Sequence, residues 1–185
     1  MGGEPKGLQR LGRLRLLDHV FGTLGQVART VVIAANDPGA AEWIPGIAVL
    51  PDLHPGSGGL AGVEAALATG RDVIVVAWDM PFVSASLLQS LLDAAEANGA
   101  DAVLPASDSP HGVEPFCAFY SQRVLGLLSE FLGAEAGPAH MFARSLPRLR
   151  VLTRDEVALS GDPARLFFSV NSREDLERAR ALWGR

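Results

Sequence analysis

A strand, a turn and a helix follow one another in residues 73–98, which read VIVVAWDMPFVSASLLQSLLDAAEAN. The run VIVVAW is apolar throughout, which is typical of a β-strand that is covered on both faces of its sheet. Ser84 is a suitable N-cap for a helix whose leucines recur on one face, and Asn98-Gly99 is a stop signal. The stretch therefore predicts a strand-helix unit of an α/β fold, with Asp79 at the turn between them.

The same alternation of short apolar runs and longer helical patterns continues along the chain, and it is typical of an α/β protein with a largely parallel sheet. We predict strands at residues 30–35, 47–50, 73–78, 102–105, 115–120, 149–152 and 166–170. We predict helices at residues 15–26, 60–69, 84–98, 122–132 and 172–183. The first of these helices has no strand before it. In an open sheet the missing strand would lie near the middle.

Composition limits the class of protein. The chain has 185 residues, 48% hydrophobic and 20% charged, which suits one domain spanning residues 1–185. The sequence has no apolar run of the roughly 20 residues that a membrane span needs and no signal-peptide core, so we expect a cytoplasmic protein without membrane contact. The net charge of -5 argues against a nucleic-acid partner. Cys117 is the only cysteine, which excludes an internal disulfide and a cysteine-cluster metal site.

Polar residues stand at the carboxyl ends of three successive predicted strands, which is where open α/β sheets bind ligands. Asn36 and Asp37 follow the first strand, Asp52 the second and Asp79 the third. Asp79 has no capping role, because Ser84 already caps the next helix. It is a candidate ligand of Mg2+, which prefers hard oxygen donors and takes only one or two from the protein. The alternative is a solvated turn aspartate.

A glycine-rich loop, PDLHPGSGGLAG at residues 51–62, leads into the second predicted helix. Its glycines allow close backbone approach to a ligand, and the helix start favours anions or polar groups. The loop is not a P-loop, because no Gly-Lys-Ser/Thr follows. Gly56, Gly58 and Ala61 match the spacing G-x-G-x-x-A, with Asp79 about 20 residues further on. A dinucleotide site and a merely flexible loop therefore both stay open as alternatives.

Little else in the sequence indicates catalytic chemistry. The four histidines are scattered, with no i, i+4 pair and no neighbouring set of carboxylates, and Cys117 lies inside an apolar run. Near the carboxyl end, Ser172 and Asp175 predict a capping box. Asn171 just before them has no such role. It is a candidate to face the same crevice as Asp79.

The opening octapeptide, MGGEPKGL, has the composition of half a phosphate-binding loop. Gly2 and Gly3 allow close backbone approach, and Lys6 carries a compact charge that suits a phosphate. Three arginines within residues 10–15 add to the positive charge. The alternative is a frayed chain end.

Taken together, these motifs resemble those of the molybdenum cofactor guanylyltransferases, the MobA family of nucleotidyltransferases. MGGEPKGLQRLGRLRLLDHV is similar to the second half of the family's opening signature, and HPGSGGLAG to its Gly-Pro-Leu-Ala-Gly loop. DMP is similar to its metal-binding aspartate, and SVNSREDLERA to its closing Asn-x-Asn-Thr-Pro-Glu-Asp-Leu motif. Three departures stand out: Gly59 replaces the loop proline, Ser169 replaces the first closing asparagine, and the first strand with its Leu-Ala-Gly-Gly loop is missing.

The resemblance implies a three-layer αβα, Rossmann-like nucleotidyltransferase fold with a mostly parallel central sheet. It implies transfer of GMP from GTP to the phosphate of molybdopterin, with Mg2+ as cofactor and with transient contact to a molybdoenzyme or a cofactor carrier protein. Lys6 and Asp79 would carry catalysis, Asp79 as the metal ligand, and Asn171 would support the metal or the pterin. The residues implied to bind the nucleotide are Gly2, Gly3, Lys6, Asn36, Asp52, Gly58, Leu60, Gly62 and Asp79.

Alternatives stay open at this level. A CTP-dependent molybdopterin cytidylyltransferase or a sugar-phosphate nucleotidyltransferase would use similar motifs. An NAD-dependent oxidoreductase would use the G-x-G-x-x-A spacing, and a truncated, non-catalytic domain would only bind nucleotide or a partner protein. Because the first strand is missing, we expect residues 1–6 to lack an anchor and to be poorly ordered. We also expect GTP binding by the chain to be weak or absent.

Overall fold

The computed structural model describes residues 5–134 and 137–184. Gly2 and Gly3, which the resemblance places at the triphosphate, lie outside these described residues. Within the described ranges, no helix is long and apolar enough to cross a membrane. A cytoplasmic location stays a prediction.

The part of the chain that the structure describes contains eight strands and eight α-helices. The strands are β1 (Arg10–Leu11), β2 (Leu14–Arg15), β3 (Ile33–Ala34), β4 (Val49–Leu50), β5 (Val73–Val76), β6 (Ala102–Pro105), β7 (Cys117–Tyr120) and β8 (Leu149–Leu152). The α-helices are α1 (Leu16–Leu24), α2 (Gly59–Leu67), α3 (Ala85–Asn98), α4 (Leu125–Gly133), α5 (Ala139–Ser145), α6 (Arg154–Ala158), α7 (Pro163–Leu166) and α8 (Arg173–Trp183). Short 3-10 helices lie at Lys6–Leu8, Ala40–Glu42 and Gln122–Val124.

The main sheet has four strands in the order β5-β7-β6-β8, and β3 pairs with β4 in a separate two-stranded parallel sheet. β6 and β8 run parallel, whereas β7 runs antiparallel to both of its neighbours. The loop 106–116 that joins β6 to β7 carries no crossover helix, so the chain simply turns back. The α/β class is confirmed, with a more mixed sheet than the alternation of elements predicts.

Helices cover the four-stranded sheet on both faces, which gives three layers. Alternate residues of β7 serve opposite cores: Ala118 and Tyr120 pack with α2, α4 and α5, while Cys117 and Phe119 pack with α3 and α6. Cys117 is 0% exposed, and burial raises the pKa of its thiol far above the usual range. The alternation explains why these strands are apolar throughout.

Local signals at helix ends are confirmed. The Ser84 hydroxyl caps α3 by accepting a hydrogen bond from the backbone N–H of Leu87 at 3.3 Å, and Gly99 ends α3 in the left-handed region at a φ of 54°. Ser172 and Asp175 form the capping box at the start of α8. These ends depend on neighbouring residues only, so the sequence can predict them.

The strand predicted at residues 166–170 is wrong. Leu166 instead ends α7, whose Pro163 occupies the first turn and whose N-cap, Asp162, accepts a hydrogen bond from Ala164 N–H at 3.0 Å. This capping chemistry outweighs the apolar character of the segment that follows. Residues 167–171 lie outside the strands of the described fold, and they pass the end of β5.

Candidate functional site

Asp79 stands just beyond the carboxyl end of β5. It is the third residue of a turn that is closed by a hydrogen bond from Met80 N–H to the carbonyl of Ala77 at 3.1 Å. The backbone carbonyl of Asp79 accepts a hydrogen bond from Val170 N–H at 2.9 Å. This bond ties the end of β5 to the segment before α8. Asn171, the next residue, is therefore held beside the Asp79 turn.

Lys6 reaches the same place from the other end of the chain. Its Nζ donates a hydrogen bond to Oδ1 of Asn171 at 3.0 Å. The neighbouring Gly7 packs on Trp78, so closely that a Cβ there would lie 2.8 Å from the indole ring. The expectation that Lys6 lacks an anchor is therefore wrong. The packing of Gly7 on Trp78 holds the lysine beside the residue that precedes Asp79.

A second polar pair lies at the ends of β3 and β4. Asn36 Nδ2 donates to Asp52 Oδ2 at 2.6 Å, and Asp52 N–H donates to Asn36 Oδ1 at 2.9 Å. Parallel pairing of β3 with β4 brings the two residues together across a gap of 16 positions in sequence. Asp37 does not join them, because its carboxylate accepts a hydrogen bond from Gly39 N–H at 2.7 Å and closes a local turn.

The glycine-rich loop opens α2 beside this pair. Gly58 is the N-cap of α2 with a φ of 69°, a conformation that favours glycine. A Cβ on Gly62 would lie 3.0 Å from the Cβ of Ala34, so this glycine allows α2 to pack closely on β3. The side chain of Leu60 is buried in the core and is not among the residues that line the cavity, and its implied contact with the nucleotide stays a prediction. Residues 51–58 separate β4 from α2, so the tight turn of a dinucleotide fingerprint is absent from this loop.

The replacement of the loop proline by Gly59 has a physical reason. A Cβ on Gly59 would lie 2.6 Å from the ring of Phe116. The phenyl ring occupies the space that a proline would fill. Gly59 and Phe116 are complementary in volume, so the start of α2 packs against the Phe116 ring.

A cavity of about 760 Å³ lies between β3 and β5. Its mouth is polar and is lined by Asn36, Asp52 and Gly58, with Trp78 at the side. Deeper in, residues 31–35 line one wall and residues 73–77 line the other. We call this apolar part the interstrand slot. It separates the Asn36–Asp52 pair from the strand that ends at Asp79.

A buried acid beside the loop was missed from the sequence. The side chain of Glu64 in α2 is 1% exposed, and its carboxylate accepts a hydrogen bond from Ser129 Oγ at 2.6 Å and lies 2.7 Å from His54 Nδ1. His54 therefore has one carboxylate neighbour in the fold, which the sequence did not indicate. Ten positions separate the pair across the loop, which hides it from helical spacing rules. The available signal was an acid inside the otherwise apolar helix GLAGVEAAL.

Glu114, in the loop between β6 and β7, is a second acid that the sequence did not single out. Burial raises the pKa of its carboxyl group, and hydrogen bonds from Ser107 and Ser109 partly offset the rise. No sequence motif predicts this environment, because the hydroxyls of Ser107 and Ser109 come close to Glu114 only through the turn of the loop.

The donors beside Asp79 fit a magnesium ion that is shared with a ligand. Among the described residues, no three or more His, Cys, Asp or Glu side chains form a group that could hold a metal. Mg2+ does not require such a group, because it binds through one or two carboxylates and takes its other positions from phosphates and water. The single carboxylate of Asp79, with a lysine nearby for the phosphates, is consistent with that mode.

Comparison with known proteins gives a consistent result. Residues 1–166 match the family described as "MobA-like NTP transferase domain". The "Probable molybdenum cofactor guanylyltransferase" of Pelotomaculum thermopropionicum is 31% identical, and the match covers 97% of this chain and 86% of the relative. The "Molybdenum cofactor guanylyltransferase" of Cereibacter sphaeroides is 35% identical, over 98% of this chain and 90% of the relative.

Solved structures agree with the sequence matches. Molybdopterin-guanine dinucleotide biosynthesis protein A from Archaeoglobus fulgidus superposes with a TM-score of 0.81 at 26% identity, over 97% of this chain and 90% of that protein. The 2-C-methyl-D-erythritol 4-phosphate cytidylyltransferase of Thermus thermophilus superposes with a TM-score of 0.69 at 21% identity, over 97% of this chain and 94% of that protein. The second likeness shows a shared fold only.

Proposed function

The chain belongs to the MobA-like NTP transferase family and is a nucleotidyltransferase, and from this premise we propose that it transfers GMP from GTP to the phosphate of molybdopterin. The names of its relatives support a role in molybdenum cofactor biosynthesis. An oxidoreductase is no longer a candidate, because the family is one of nucleotidyl transfer and the glycine loop lacks the dinucleotide turn.

One observation carries the proposal: Lys6, Asn171 and Asp79 meet at the end of β5 although they are distant in sequence. The Lys6 amine contacts Asn171, and Val170 fixes the backbone of Asp79. A cation and a carboxylate at one edge of the sheet suit a polyphosphate bound with a metal ion. We assign Lys6 to the phosphates, Asp79 to the metal and Asn171 to orienting the lysine.

The proposed reaction is an in-line displacement. A phosphate oxygen of molybdopterin forms a bond to the α-phosphorus of GTP while the bond from that phosphorus to the bridging oxygen breaks, and pyrophosphate leaves. Such transfers need positioning and charge neutralisation rather than a protein nucleophile. Lys6 would stabilise the negative charge that grows on the leaving group. The burial of Cys117 is consistent with a mechanism that uses no thiol.

Mg2+, when bound at Asp79, would neutralise charge on the phosphate oxygens. At the other side of the cavity, the Asn36–Asp52 pair and the loop up to Gly62 would hold the nucleoside. The pair is fixed by its own hydrogen bonds, so it offers the second N–H of the Asn36 amide and the remaining lone pairs of both side chains in a defined orientation. The cytoplasmic setting and a transient contact with a molybdoenzyme or a carrier protein belong to the same proposal.

A nucleotide and acceptor panel tests the proposal. Pyrophosphate release is measured with GTP, CTP and ATP, each with molybdopterin or with a sugar phosphate, in the presence of Mg2+. We expect release with GTP and molybdopterin, abolished by chelation of the metal. Preference for CTP with molybdopterin, or for a sugar phosphate as acceptor, would assign the chain to the related transferases instead. Nucleotide binding without any pyrophosphate release would indicate a non-catalytic domain.

A further inference from the structure

We propose, on the basis of the function proposed above, that His54 positions the glycine-rich loop for nucleotide binding, and that it does so through the buried carboxylate of Glu64. His54 is not among the described residues that line the cavity, whereas Asp52 and Gly58 on either side of it are. Its effect on a bound nucleotide is therefore indirect and passes through the backbone of the loop.

Packing does little to hold residues 53–58. Leu53 is 56% exposed. A Cβ added to Gly56 or to Gly58 would meet no other part of the described chain within 4 Å, so the backbone borders open space at both positions. Both glycines have a positive φ, 88° and 69°, in the region that favours glycine. A segment of this kind keeps one conformation only where specific bonds fix it.

The hydrogen bonds that fix residues 53–57 within the described part of the chain both involve His54. The carbonyl of His54 accepts a hydrogen bond from Ser57 N–H at 3.3 Å, which closes a turn. The ring Nδ1 of His54 lies 2.7 Å from Oε2 of Glu64 and donates its proton to that carboxylate. Of the two contacts, only the one with Glu64 reaches another element of the fold.

Glu64 is a fixed anchor for this contact. Its side chain is 1% exposed, and its second oxygen, Oε1, accepts a hydrogen bond from Ser129 Oγ in α4 at 2.6 Å. The two carboxylate oxygens are thus divided between α4 and the loop. A carboxylate buried to this degree is stable only when its oxygens have partners. The position of His54 is therefore coupled to the packing of α2 against α4.

The loop that His54 holds connects two residues of the proposed nucleoside site. Asp52 at its start and Gly58 at its end both line the mouth of the cavity. A loop that is ordered before the ligand arrives loses less conformational entropy when the ligand binds. The contact of His54 with Glu64 therefore raises the affinity for the nucleotide.

The expected effect is on binding rather than on the transfer step. We expect loss of the contact to raise KM for GTP about tenfold, the size of one or two newly mobile loop side chains. We expect kcat to stay within about twofold, because a contact that acts equally on the bound substrate and on the transition state leaves kcat unchanged. Lys6 and Asp79, to which the transfer step is assigned, are not altered.

Glu64→Leu is the decisive variant, because it removes the anchor without leaving a charge in the core. Leucine is apolar and of similar volume, so we expect the thermal midpoint to be unchanged or higher. The kinetics of pyrophosphate release should nevertheless show the rise in KM for GTP, and amide exchange at Ser57 should become faster. A merely structural role would change KM only together with the thermal midpoint.

Two variants of His54 separate the hydrogen bond from the imidazole ring. The amide nitrogen of asparagine stands at the same distance from the backbone as Nδ1, so His54→Asn can still donate to Glu64, whereas His54→Ala cannot. We expect His54→Ala to reproduce the KM of Glu64→Leu and His54→Asn to restore most of the native value. His140→Ala is the matched control, because this histidine lies in α5 and stacks on His111 with ring centroids 3.6 Å apart.

Two outcomes would overturn the role of His54: an unchanged KM for GTP in Glu64→Leu, or an equal rise in His54→Asn and His54→Ala. GTP affinity is also measured by calorimetry without an acceptor. Weaker GTP binding by Glu64→Leu, in a chain that releases no pyrophosphate, would keep His54 as a positioning residue and reject the proposed function. Equal turnover and equal KM in all variants would do the reverse. Absence of GTP binding by the native chain would reject both.

Discussion

The two halves of the candidate site rest on very different foundations. Asp79 follows a strand of the four-stranded sheet, which has helices on both faces, and a backbone hydrogen bond from Val170 holds its turn. Asn36 and Asp52 follow two strands of two residues each, and their side chains are hydrogen-bonded to each other. Under the proposed function, the reacting phosphates and the nucleoside would therefore be positioned by separate structural units. The interstrand slot lies between those units.

The comparison also fits the two roles that we propose, phosphate and metal binding at Asp79 and nucleoside binding at Asn36 and Asp52. Transfer chemistry requires precise placement of charge, which a covered sheet supplies. Nucleoside binding tolerates a more adaptable frame, because it gains from several weak contacts. The predictions below test each half in turn.

Substitution of Asp79 by asparagine has the largest expected effect. We expect turnover to fall about 10³-fold, because the metal would lose its charged ligand. The fold should persist, since the backbone carbonyl that accepts from Val170 is unchanged. Pyrophosphate release and the thermal midpoint are measured on the same preparation. Retention of most of the activity would reject the metal assignment.

Substitution of Lys6 by glutamine should have the next largest effect. We expect kcat/KM for GTP to fall about 10²-fold, because one positive charge at the phosphates is removed. Arg10→Gln is the matched control: its guanidinium is exposed and donates to the carbonyl of Arg13 at 3.0 Å. If both variants lose the same activity, the general positive charge of the segment matters and Lys6 has no specific role.

Substitution of Asp101 by asparagine tests how much an ion pair at the four-stranded sheet contributes to the free energy of unfolding. Its residue is 5% exposed, and Arg148 donates to its carboxylate at 2.8 Å, which lowers the pKa of Asp101 below the usual range. A lowered pKa stabilises the fold above the ordinary pKa of aspartate, and this contribution is lost as the pH falls through the lowered value. We expect Asp101→Asn to cost about 2 kcal/mol in urea unfolding at pH 7.

The pH dependence supplies the check on Asp101. The difference in unfolding free energy between the two proteins should narrow as the pH falls below about 4. A difference that stays constant down to pH 2 would show that the variant loses packing rather than an ion pair.

The smallest expected effect concerns the loop of the other half. We expect Gly59→Ala to cost about 1 kcal/mol of stability, because its Cβ would displace the Phe116 ring. Gly126→Ala is the control: within α4, its added Cβ meets nothing within 4 Å, so it should stabilise the fold by about 0.5–1 kcal/mol. Equal responses at the two glycines, measured by urea unfolding, would show that Phe116 does not constrain the loop.

Much of this architecture can be predicted from local sequence, and the exceptions are instructive. The caps at Ser84 and Ser172 follow from residues three positions apart, and the placement of Asn36, Asp52 and Asp79 follows from where apolar runs end. The contact of Lys6 with Asn171 spans 165 positions and arises from tertiary packing, so the sequence did not predict it. The pair of His54 with Glu64 crosses a loop, which no periodicity describes.

The lengths of the strands also could not be predicted from the sequence. An apolar run such as residues 30–35 indicates a covered strand. How many of its residues form a β-ladder depends on the strands that lie beside it in the fold. β3 is accordingly limited to Ile33–Ala34, with the slot on its other side. Leu166 shows the opposite case, where the turn chemistry of Asp162 and Pro163 prevails over an apolar run.

The single cysteine gives the molecule an internal reporter. Cys117 lies in β7, the strand that joins β5 to β6, and its thiol is fully enclosed with a raised pKa. A thiol reagent can therefore react only when this strand separates from its neighbours, and the labelling rate measures how often that opening occurs. A second cysteine introduced on the surface could be labelled selectively in the folded protein. A fluorescent probe on the new cysteine could thus report on movement of one half of the site while Cys117 is kept.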